Sequence, residues 1–539
     1  MSENERETVI DPESVRLLND YAETEAEAAP AAEAQPELST RALATLFCSL
    51  YVGVFLCALD GTVIVTLMAH ISSEFHEFRS VSWIASAYLI SLATFQPLYG
   101  KISDIYGRRA MLLFSNGAFA VGCVMCGMAP NIWFLVFARV IAGIGGGGLN
   151  SLTVITMSDL VPLRQRGLLQ GFGSLLYNTG AAVGGVFGGL LTEWLGWRWA
   201  FYIQVPFVVV SALAVWYNLK PKPYNEIETS RLKRIDFAGS LSLVSFLSVF
   251  LLALSLGGSY VPWSHPIIFV LFPLSFALLA VFVHIETKVA VEPVLPLSLL
   301  KDRTVLGSSF TNAFVMMACY SHLFYVPIYF VAVRGISATA AGSKIIPNFI
   351  GTGIGAIATG SYMKMTGKYY RVMLTGSVLM FVGACLVSTY GLDTPSVLQI
   401  LYLFVPGIGL GALITSTLIA LIASVPHEFQ AVTTSIQYGF RGTGSTIGVS
   451  MASAIFQNVL SAKLWERLGD LPNAADIITL VQDSVEEVTV LPEAYRPLVI
   501  QSYLDACHGV FLFAAVLSFL IIVFCSIMKE HPLNTTLRR

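Results

Sequence analysis

The sequence has 539 residues, of which 55% are hydrophobic and only 12% are charged, and its mean hydropathy is +0.71. Soluble domains usually carry about 25% charged residues, so this composition excludes an ordinary soluble protein and indicates a polytopic α-helical membrane protein. The formal net charge of −3 gives no sign of a nucleic-acid partner. The sequence contains no phosphate-binding loop, catalytic triad or metal-ligand cluster, so we expect neither an enzyme nor an ATP-driven pump, and neither a cofactor nor a metal site.

The first segment, residues 1–41, is acidic and rich in Glu, Ala and Pro, and it is predicted to be a disordered cytoplasmic tail. Glu13, Leu17 and Leu18 form an acidic dileucine pattern in this segment. The pattern resembles the sorting signals that adaptor complexes read when they route fungal membrane proteins to the vacuole, which implies a sorting adaptor as a partner. Six-residue patterns also occur by chance, so a tail without a signal is the alternative.

Fourteen apolar runs follow the tail, each near the length of about 20 residues that crosses a bilayer. Their approximate limits are 42–70, 82–102, 109–129, 132–158, 167–192, 199–218, 236–257, 264–285, 305–331, 337–362, 371–391, 396–424, 430–456 and 507–528. Lys and Arg are unevenly distributed among the loops, with sixteen in the even-numbered loops and six in the odd-numbered loops. Because loops rich in basic residues face the cytosol, this bias predicts that both termini are cytoplasmic.

The first predicted span carries an acid, Asp60, in the run Leu59-Asp60-Gly61-Thr62. A charged side chain at the centre of a membrane helix costs about 2.5–3.5 kcal/mol on insertion scales. Intramembrane acids usually line a transport path, so Asp60 is the candidate binding group for a proton or a cationic substrate. A structural carboxylate that bonds to a neighbouring helix is the alternative.

The loop between spans two and three contains the pattern G-x-x-x-D-x-x-G-R-R. Its members are Gly100, Asp104, Gly107, Arg108 and Arg109. The pattern resembles the signature loop of the major facilitator superfamily of secondary transporters, where the loop is a cytoplasmic latch between two halves. The resemblance implies that Asp159, at the cytoplasmic end of span four, is the partner of the loop arginine.

Span one, with its L-D-x-T pattern, resembles the fourteen-helix drug:proton antiporter branch of that superfamily, which implies proton coupling at Asp60. In span four, Arg139 shares one helical face with small and polar residues, and the corresponding arginine of the family is linked to proton coupling. The other members of this face are Gly143, Gly146, Gly147 and Asn150. An arginine that only clamps neighbouring helices is the alternative.

Span five carries a second glycine stripe, made of Gly180, Gly184 and Gly188. The stripe resembles the antiporter motif G-x-x-x-G-P-x-x-G-G, except that a glycine stands in the place of the proline. Close packing against another helix explains the stripe without a transport role. Polar residues within apolar runs are further candidates for binding substrate or protons: Tyr177, Asn178, Tyr329, Asn348, Gln437 and Arg441.

An internal repeat supports a plan of two bundles. Gly360 and Gly367 follow span ten with the same seven-residue spacing that Gly100 and Gly107 have after span two. The predicted fold is therefore all-α, a major facilitator fold of two six-helix bundles plus two inserted helices, fourteen spans in total.

The predicted domains follow from this plan. They are the tail 1–41, an N-terminal bundle 42–218, a linker with two additional spans 219–304, a C-terminal bundle 305–528 that includes a long non-cytoplasmic loop 457–506, and a cytoplasmic tail 529–539. In the long loop, the spacing of apolar residues predicts one or two amphipathic helices that lie on the surface.

Three runs look most like the fungal vacuolar basic amino acid transporters: PLYGKISDIYGRR, ARVIAGIGGGGL and GWRWAFYIQVPF. The resemblance implies a proton-coupled antiporter in the vacuolar membrane, which acts on small cationic substrates and protons within the lipid bilayer. A monomer is expected. Two alternatives stay open: a plasma-membrane drug or toxin exporter of the same fold, and a non-transporting nutrient sensor, which longer signalling tails would favour.

Overall fold

The computed structural model describes residues 40–75, 82–220, 234–257, 261, 263–336, 338–469, 474–483, 492 and 495–533. In these ranges the secondary structure is helical, apart from one bridge between Gly257 and Val261. The described residues from Leu46 onward form one compact unit. The predicted sorting signal lies outside the described residues.

Fourteen helices of at least 15 residues follow one another in the described ranges, and each predicted span overlaps one of them. They are α1 (Thr40–Phe75), α2 (Ser82–Tyr106), α3 (Arg108–Gly127), α4 (Ile132–Leu160), α5 (Leu163–Leu195), α6 (Gln204–Asn218), α7 (Phe237–Leu256), α8 (Pro266–His284), α9 (Arg303–Ala332), α10 (Ile346–Thr366), α11 (Tyr370–Val387), α12 (Ser396–Ser424), α13 (Gln430–Leu468) and α14 (Arg496–Ile527). The all-α prediction is confirmed. We call α1–α6 the first half and α9–α14 the second half.

Ten helices of the described chain are long and apolar enough to cross a membrane. The other four long helices are less apolar: α5, α10 and α13 are rich in glycine, and α2 carries many polar residues. They pack in two pairs that join the halves, α2 against α13 and α5 against α10. Because these faces meet another helix instead of lipid, they need no continuous apolar sequence.

The helices at the last two predicted spans are longer than the spans themselves. α13 continues to Leu468 and α14 begins at Arg496, so both helices extend into the predicted loop 457–506. Between them lies a short helix, Ala474–Asp483, whose Val481 is fully buried in a cluster with residues of α13 and α14. The predicted amphipathic helix therefore packs its apolar face onto the ends of two long helices.

The inserted helix α7 packs against α8, α2 and α13. The segment after α8 carries Glu292, whose carboxylate forms two ion pairs. Lys101 Nζ of α2 lies 2.8 Å from Glu292 Oε2, and Arg234 Nε, just before α7, lies 2.9 Å from Oε1. These pairs tie the inserted helices to one end of α2.

We expect Glu292→Gln to loosen this attachment. Hydrogen bonds from Arg234 and Lys101 hold the pKa of Glu292 below its ordinary value of 4.5. The stabilisation is therefore present at neutral pH and is lost as the pH falls through the folded value. At pH 7 the variant should be less stable than the wild type by under about 1 kcal/mol, since both pairs are partly exposed.

Thermal unfolding of the detergent-purified protein at pH 7 and at about pH 3 measures this difference, which should disappear at the lower pH. Glu428→Gln is the control, because Glu428 is an exposed acid with no ion pair among the described residues. Equal unfolding temperatures for Glu292→Gln and the wild type at pH 7 would contradict the prediction.

Candidate functional site

Asp60 and Arg139 form a buried ion pair between α1 and α4. Arg139 Nη1 donates to Asp60 Oδ2 at 2.6 Å, and both side chains are 0% exposed. Arg139 also donates from Nη2 to the Asp60 carbonyl at 3.4 Å and from Nε to the Ile84 carbonyl at 3.3 Å. Gln204 Nε2 of α6 lies 3.4 Å from Asp60 Oδ1. The two opposite charges offset each other, which lowers the cost of burying either one.

Tyr88 of α2 covers one side of this ion pair. The Arg139 guanidinium carbon lies 4.2 Å from the centre of the Tyr88 ring, within cation–π range. The Tyr88 hydroxyl lies 3.0 Å from both the carbonyl oxygen and Sγ of Cys57. Cys57 Sγ accepts a hydrogen bond from Asn150 Nδ2 at 3.1 Å. A continuous line of polar contacts therefore leads from the ion pair to Asn150.

Three of these contacts were not among the predicted site residues: Tyr88, Cys57 and Gln204. Cys57 lies one helical turn before Asp60, and that spacing is the signal by which it could have been found. Tyr88 and Gln204 lie on other helices, and their sequence positions carry no comparable signal.

The glycines of α4 and α5 let neighbouring helices approach closely. A Cβ at Gly143 or Gly147 would meet the backbone of α2, and a Cβ at Gly180 or Gly184 would meet the backbone of α1. Gly188 is buried as well. These glycines therefore hold α1, α2, α4 and α5 at the separations that the ion pair and its covering tyrosine require.

Polar groups of both halves meet between α5, α9 and α13. The phenols of Tyr177 on α5 and Tyr320 on α9 interact, and Tyr177 lies within electrostatic reach of Cys57 and of Arg441 on α13. Tyr177, Tyr320 and Arg441 are each partly exposed, although they lie in the middle of their helices. These three residues therefore lie where the two halves meet. Tyr320 was not among the predicted residues.

Neutral groups hold Arg441 in place. Its Nε donates to Asn312 Oδ1 at 2.7 Å, its Nη2 donates to the Ile414 carbonyl at 3.1 Å, and its guanidinium carbon lies 4.7 Å from the ring centre of Tyr438. Gln437, one turn earlier on α13, is fully buried and donates to a serine hydroxyl of α9 at 2.8 Å. Two predicted residues of the second half therefore share one polar network.

Three further predicted residues donate to backbone carbonyls. The Tyr329 hydroxyl donates to Gly391 at 2.7 Å, and Asn348 Nδ2 donates to Leu403 at 3.0 Å. Asn178 Nδ2 donates at 2.7 Å to its own helix, one turn back. Asn348 also lines a narrow crevice within the second half. The first two hydrogen bonds hold α9 and α10 against neighbouring segments, and none of the three reaches the Asp60–Arg139 pair.

The signature-loop charges and Asp159 meet at one end of the molecule, which we call the latch end. Arg108 Nη1 lies 2.8 Å from Asp104 Oδ1, and Arg108 Nε lies 2.7 Å from Asp159 Oδ2. Arg109 stacks instead on Trp216, with its guanidinium carbon 4.3 Å from the ring centre. These contacts join α2, α3, α4 and α6, so they brace the first half.

The two repeated loops use their glycines in the same way. A Cβ at Gly100 would lie 2.5 Å from a carbonyl oxygen of α13, and a Cβ at Gly360 would collide with the backbone of Gly167 on α5. Gly107 and Gly367 have positive φ angles of 88° and 69°, which side-chain-bearing residues rarely adopt. The first glycine of each repeat therefore permits contact between the halves, and the second lies at a helix boundary.

Two arginines that were not among the predicted residues also join the halves at the latch end. Arg164 donates from Nε and Nη2 to the carbonyls of Lys364 and Met365, both at 2.6 Å. Arg166 Nη1 donates to Gln430 Oε1 at 3.0 Å. Together with the glycine contacts, these hydrogen bonds close the latch end.

We expect Asp104→Asn to weaken the closed latch end by about 0.2–1 kcal/mol, the usual worth of a partly exposed ion pair. Arg108 would lose one of the two charged partners that hold the end of α2, the helix that contacts α13 at Gly100. The population with an open latch end should therefore rise by up to about fivefold. Thiol labelling of Ser435→Cys, whose side chain lies against Gly100, measures the opening. Labelling no faster than in a control with Asp393→Asn, an exposed acid between α11 and α12, would reject the prediction.

A family model described as Major Facilitator Superfamily matches residues 50–449. The chain is 37% identical over 500 residues to the multidrug resistance protein fnx1 of Schizosaccharomyces pombe, covering 92% of this chain and 94% of that protein. It is 35% identical to the vacuolar membrane amino acid uptake transporter fnx2 of the same yeast, covering 92% and 86%. It is 33% identical to the vacuolar basic amino acid transporter 2 of Saccharomyces cerevisiae, covering 85% and 99%.

Among solved structures, the proton:xylose symporter XylE bound to 6-bromo-6-deoxy-D-glucose is similar, with a TM-score of 0.57. The match covers 92% of this chain and 98% of that chain at 14% sequence identity. At this identity the likeness shows the fold alone, and it agrees with the predicted helical architecture.

Proposed function

The chain belongs to the Major Facilitator Superfamily and is an integral-membrane transporter, not an enzyme. We propose that it moves cationic amino acids from the cytosol into the vacuole in exchange for protons. Two similar proteins carry names that describe vacuolar amino acid transport. In this proposal both termini and the latch end face the cytosol, the two halves are the rocking bundles, and the protein acts as a monomer.

The buried pair of Asp60 and Arg139 is the observation that carries the proposal. While Arg139 holds Asp60, the carboxylate needs no proton. When a rearrangement separates the two groups, the carboxylate must take up a proton or a cation, because an unpaired charge inside a membrane protein is costly. A proton and a cationic substrate then exclude each other at one group, which is the requirement for antiport.

The direction follows from the two compartments. In the conformation open to the cytosol, the Asp60 carboxylate would attract a cationic substrate. Toward an acidic lumen, the carboxylate would take up a proton, lose its charge and release the substrate, and the returning conformation would carry the proton out. The closed latch end corresponds, in this proposal, to a conformation sealed against the cytosol.

Uptake into vacuolar vesicles tests the proposal. Vesicles with the protein should accumulate labelled lysine, arginine or histidine when a proton gradient is imposed, and a protonophore should abolish the accumulation. Vesicles from cells that lack the protein are the control. Accumulation that ignores the gradient would reject proton coupling, and no accumulation of any of the three would reject the substrate class.

A plasma-membrane exporter of cationic drugs is the second candidate, favoured by the 37% identity to a multidrug resistance protein. It would use the same Asp60–Arg139 pair with a different cargo. Drug resistance that depends on the protein, with the protein at the cell surface, would support this candidate over the vacuolar one.

In our proposal, the subcellular location of the protein depends on Glu13, Leu17 and Leu18. We expect the double change Leu17→Ala and Leu18→Ala to move most of a fluorescently tagged protein from the vacuolar rim to other membranes, because adaptors bind this pattern through the two leucines. Val15→Ala, inside the same pattern, is the control. Unchanged location of the double variant would reject the sorting signal, and wild-type protein at the cell surface would favour the exporter.

A further inference from the structure

Arg441 carries a charge that no described acid balances. Its partners among the described residues include the Asn312 amide oxygen, the Ile414 carbonyl and the ring of Tyr438. Among the described residues, no aspartate or glutamate lies within ion-pair distance of its guanidinium. Arg139, by contrast, has a carboxylate at 2.6 Å.

An unbalanced guanidinium in the middle of a membrane helix is costly, and such residues usually mark a substrate or ion path. The polar groups around Arg441 reduce this cost through hydrogen bonds but do not cancel the charge. A guanidinium presents its donors as a planar fork that fits a carboxylate, which a compact ammonium does not. The group that completes this site is therefore an anion, and a carboxylate fits it best.

The position of Arg441 makes it reachable by a substrate. The residue is partly exposed at the middle of α13, and Tyr177 of the opposite half lies within electrostatic reach of it. The neighbouring phenol of Tyr320, on α9, interacts with that of Tyr177. Two hydroxyl groups that can donate hydrogen bonds to an anion therefore accompany the guanidinium where the halves meet.

We propose that Arg441 binds the α-carboxylate of the transported amino acid. This inference rests on the proposed function, because it takes the cargo to be an amino acid. The Asp60–Arg139 pair is neutral as a whole, so Arg441 leaves one uncompensated positive charge among the described buried groups of the site. An amino acid neutralises that charge with its carboxylate, whereas a cationic drug without a carboxylate is repelled.

Decarboxylated analogues test this assignment directly. Labelled lysine, arginine or histidine, whichever the vesicles accumulate, is competed with the same unlabelled amino acid and with its amine: cadaverine, agmatine or histamine. On the wild type, the amino acid should compete at least about tenfold better than the amine, since a buried charge-assisted hydrogen bond is worth about 1.5–3 kcal/mol. In the Arg441→Gln variant, competition by the amino acid should weaken by about tenfold or more, whereas competition by the amine should be unchanged or stronger.

Arg441→Lys separates charge from shape, because it keeps the cation and loses the fork. It should retain the exclusion of the amine and lose several-fold in affinity for the amino acid. Arg371→Gln, which removes an exposed arginine of α11, is the matched control and should change neither competition. If Arg441→Gln does not fold, as judged by its unfolding temperature in detergent, Arg441→Lys provides the test. The quantity to compare is then the ratio between competition by the amino acid and competition by the amine.

Two outcomes overturn the inference. One is a wild type that accumulates the amino acid but accepts the amine equally well. The other is an Arg441 variant that weakens both competitors by the same factor, which a purely structural role predicts. Both leave the proposed function standing. Vesicles that accumulate no cationic amino acid reject the proposed function itself and, with it, this inference.

Discussion

Asp60→Asn should reduce gradient-driven uptake by at least about 100-fold while the protein still folds and reaches its membrane. Asparagine has the shape of aspartate, and its oxygen can still accept the hydrogen bond that Arg139 Nη1 now gives to Asp60 Oδ2. It can neither bind a proton at that oxygen nor hold a negative charge. Any remaining binding of the substrate should therefore be weak and insensitive to pH, since the group that would exchange proton for cation is gone.

Loss of the charge also leaves Arg139 buried without a counter-ion. Removing one partner of a buried ion pair usually lowers the free energy of unfolding by about 3–5 kcal/mol. The double variant Asp60→Asn with Arg139→Gln restores neutrality and should unfold at a higher temperature than Asp60→Asn alone. It should not recover coupling. Stability and transport then separate, which distinguishes a coupling group from a structural one.

Uptake of labelled amino acid into vesicles at several lumenal pH values measures the effect. Glu74→Gln is the matched control, because Glu74 is an acid of the same helix that pairs with Arg198, at an exposed position. We expect it to transport normally. Gradient-driven uptake by Asp60→Asn at the wild-type level would reject this carboxylate as the coupling site and leave the family assignment untouched.

The sequence identified Asp60 and Arg139 separately, because a charge inside an apolar run is visible without any structure. Their pairing is not visible. The two residues are 79 positions apart on α1 and α4, and they meet because Gly143 and Gly147 bring α4 against α2 and so fix where the guanidinium points. Tyr88 escaped prediction for the same reason, since an aromatic residue in an apolar span has no pattern of its own.

The number and order of the long helices were predictable from the fourteen runs, whereas some of their boundaries were not. α13 runs on to Leu468 because Leu460, Leu464 and Leu468 are buried in a cluster with the short helix Ala474–Asp483. The apolar spacing of that short helix was visible, but whether its apolar face meets lipid or another helix depends on tertiary packing. Arg164 was missed because its acceptors are backbone carbonyls, and every residue has one.

The repeated glycines were visible as a spacing, and the structure supplies their physical reason. Gly360 faces Gly167 at the contact between α10 and α5, and a Cβ at Gly360 would collide with the Gly167 carbonyl oxygen. Gly100 occupies the matching place between α2 and α13. The halves therefore meet at the latch end through two backbone contacts that no side chain can enter.

Gly360→Ala should consequently open the latch end. Overpacking of a close contact usually costs about 1–3 kcal/mol, and the cost falls on the closed conformation, where the backbones touch. The balance should shift toward the open form by about 5- to 150-fold, at 1.4 kcal/mol for each factor of ten. Because transport requires both conformations, uptake should fall by up to the same factor.

Gly167→Ala is the matched control on the opposite side of the same contact. Its Cβ would meet the terminal carbon of Met363 at 2.5 Å and the Gly360 Cα only at 3.5 Å. A methionine end rotates away at little cost, so this variant should transport within about twofold of the wild type. Thiol labelling of Ser435→Cys at the latch end, together with vesicle uptake, measures both variants. Equal effects of Gly360→Ala and Gly167→Ala on labelling and uptake would mean that replacing either glycine is sufficient. The backbone contact at Gly360 would then not control the closing of the latch end.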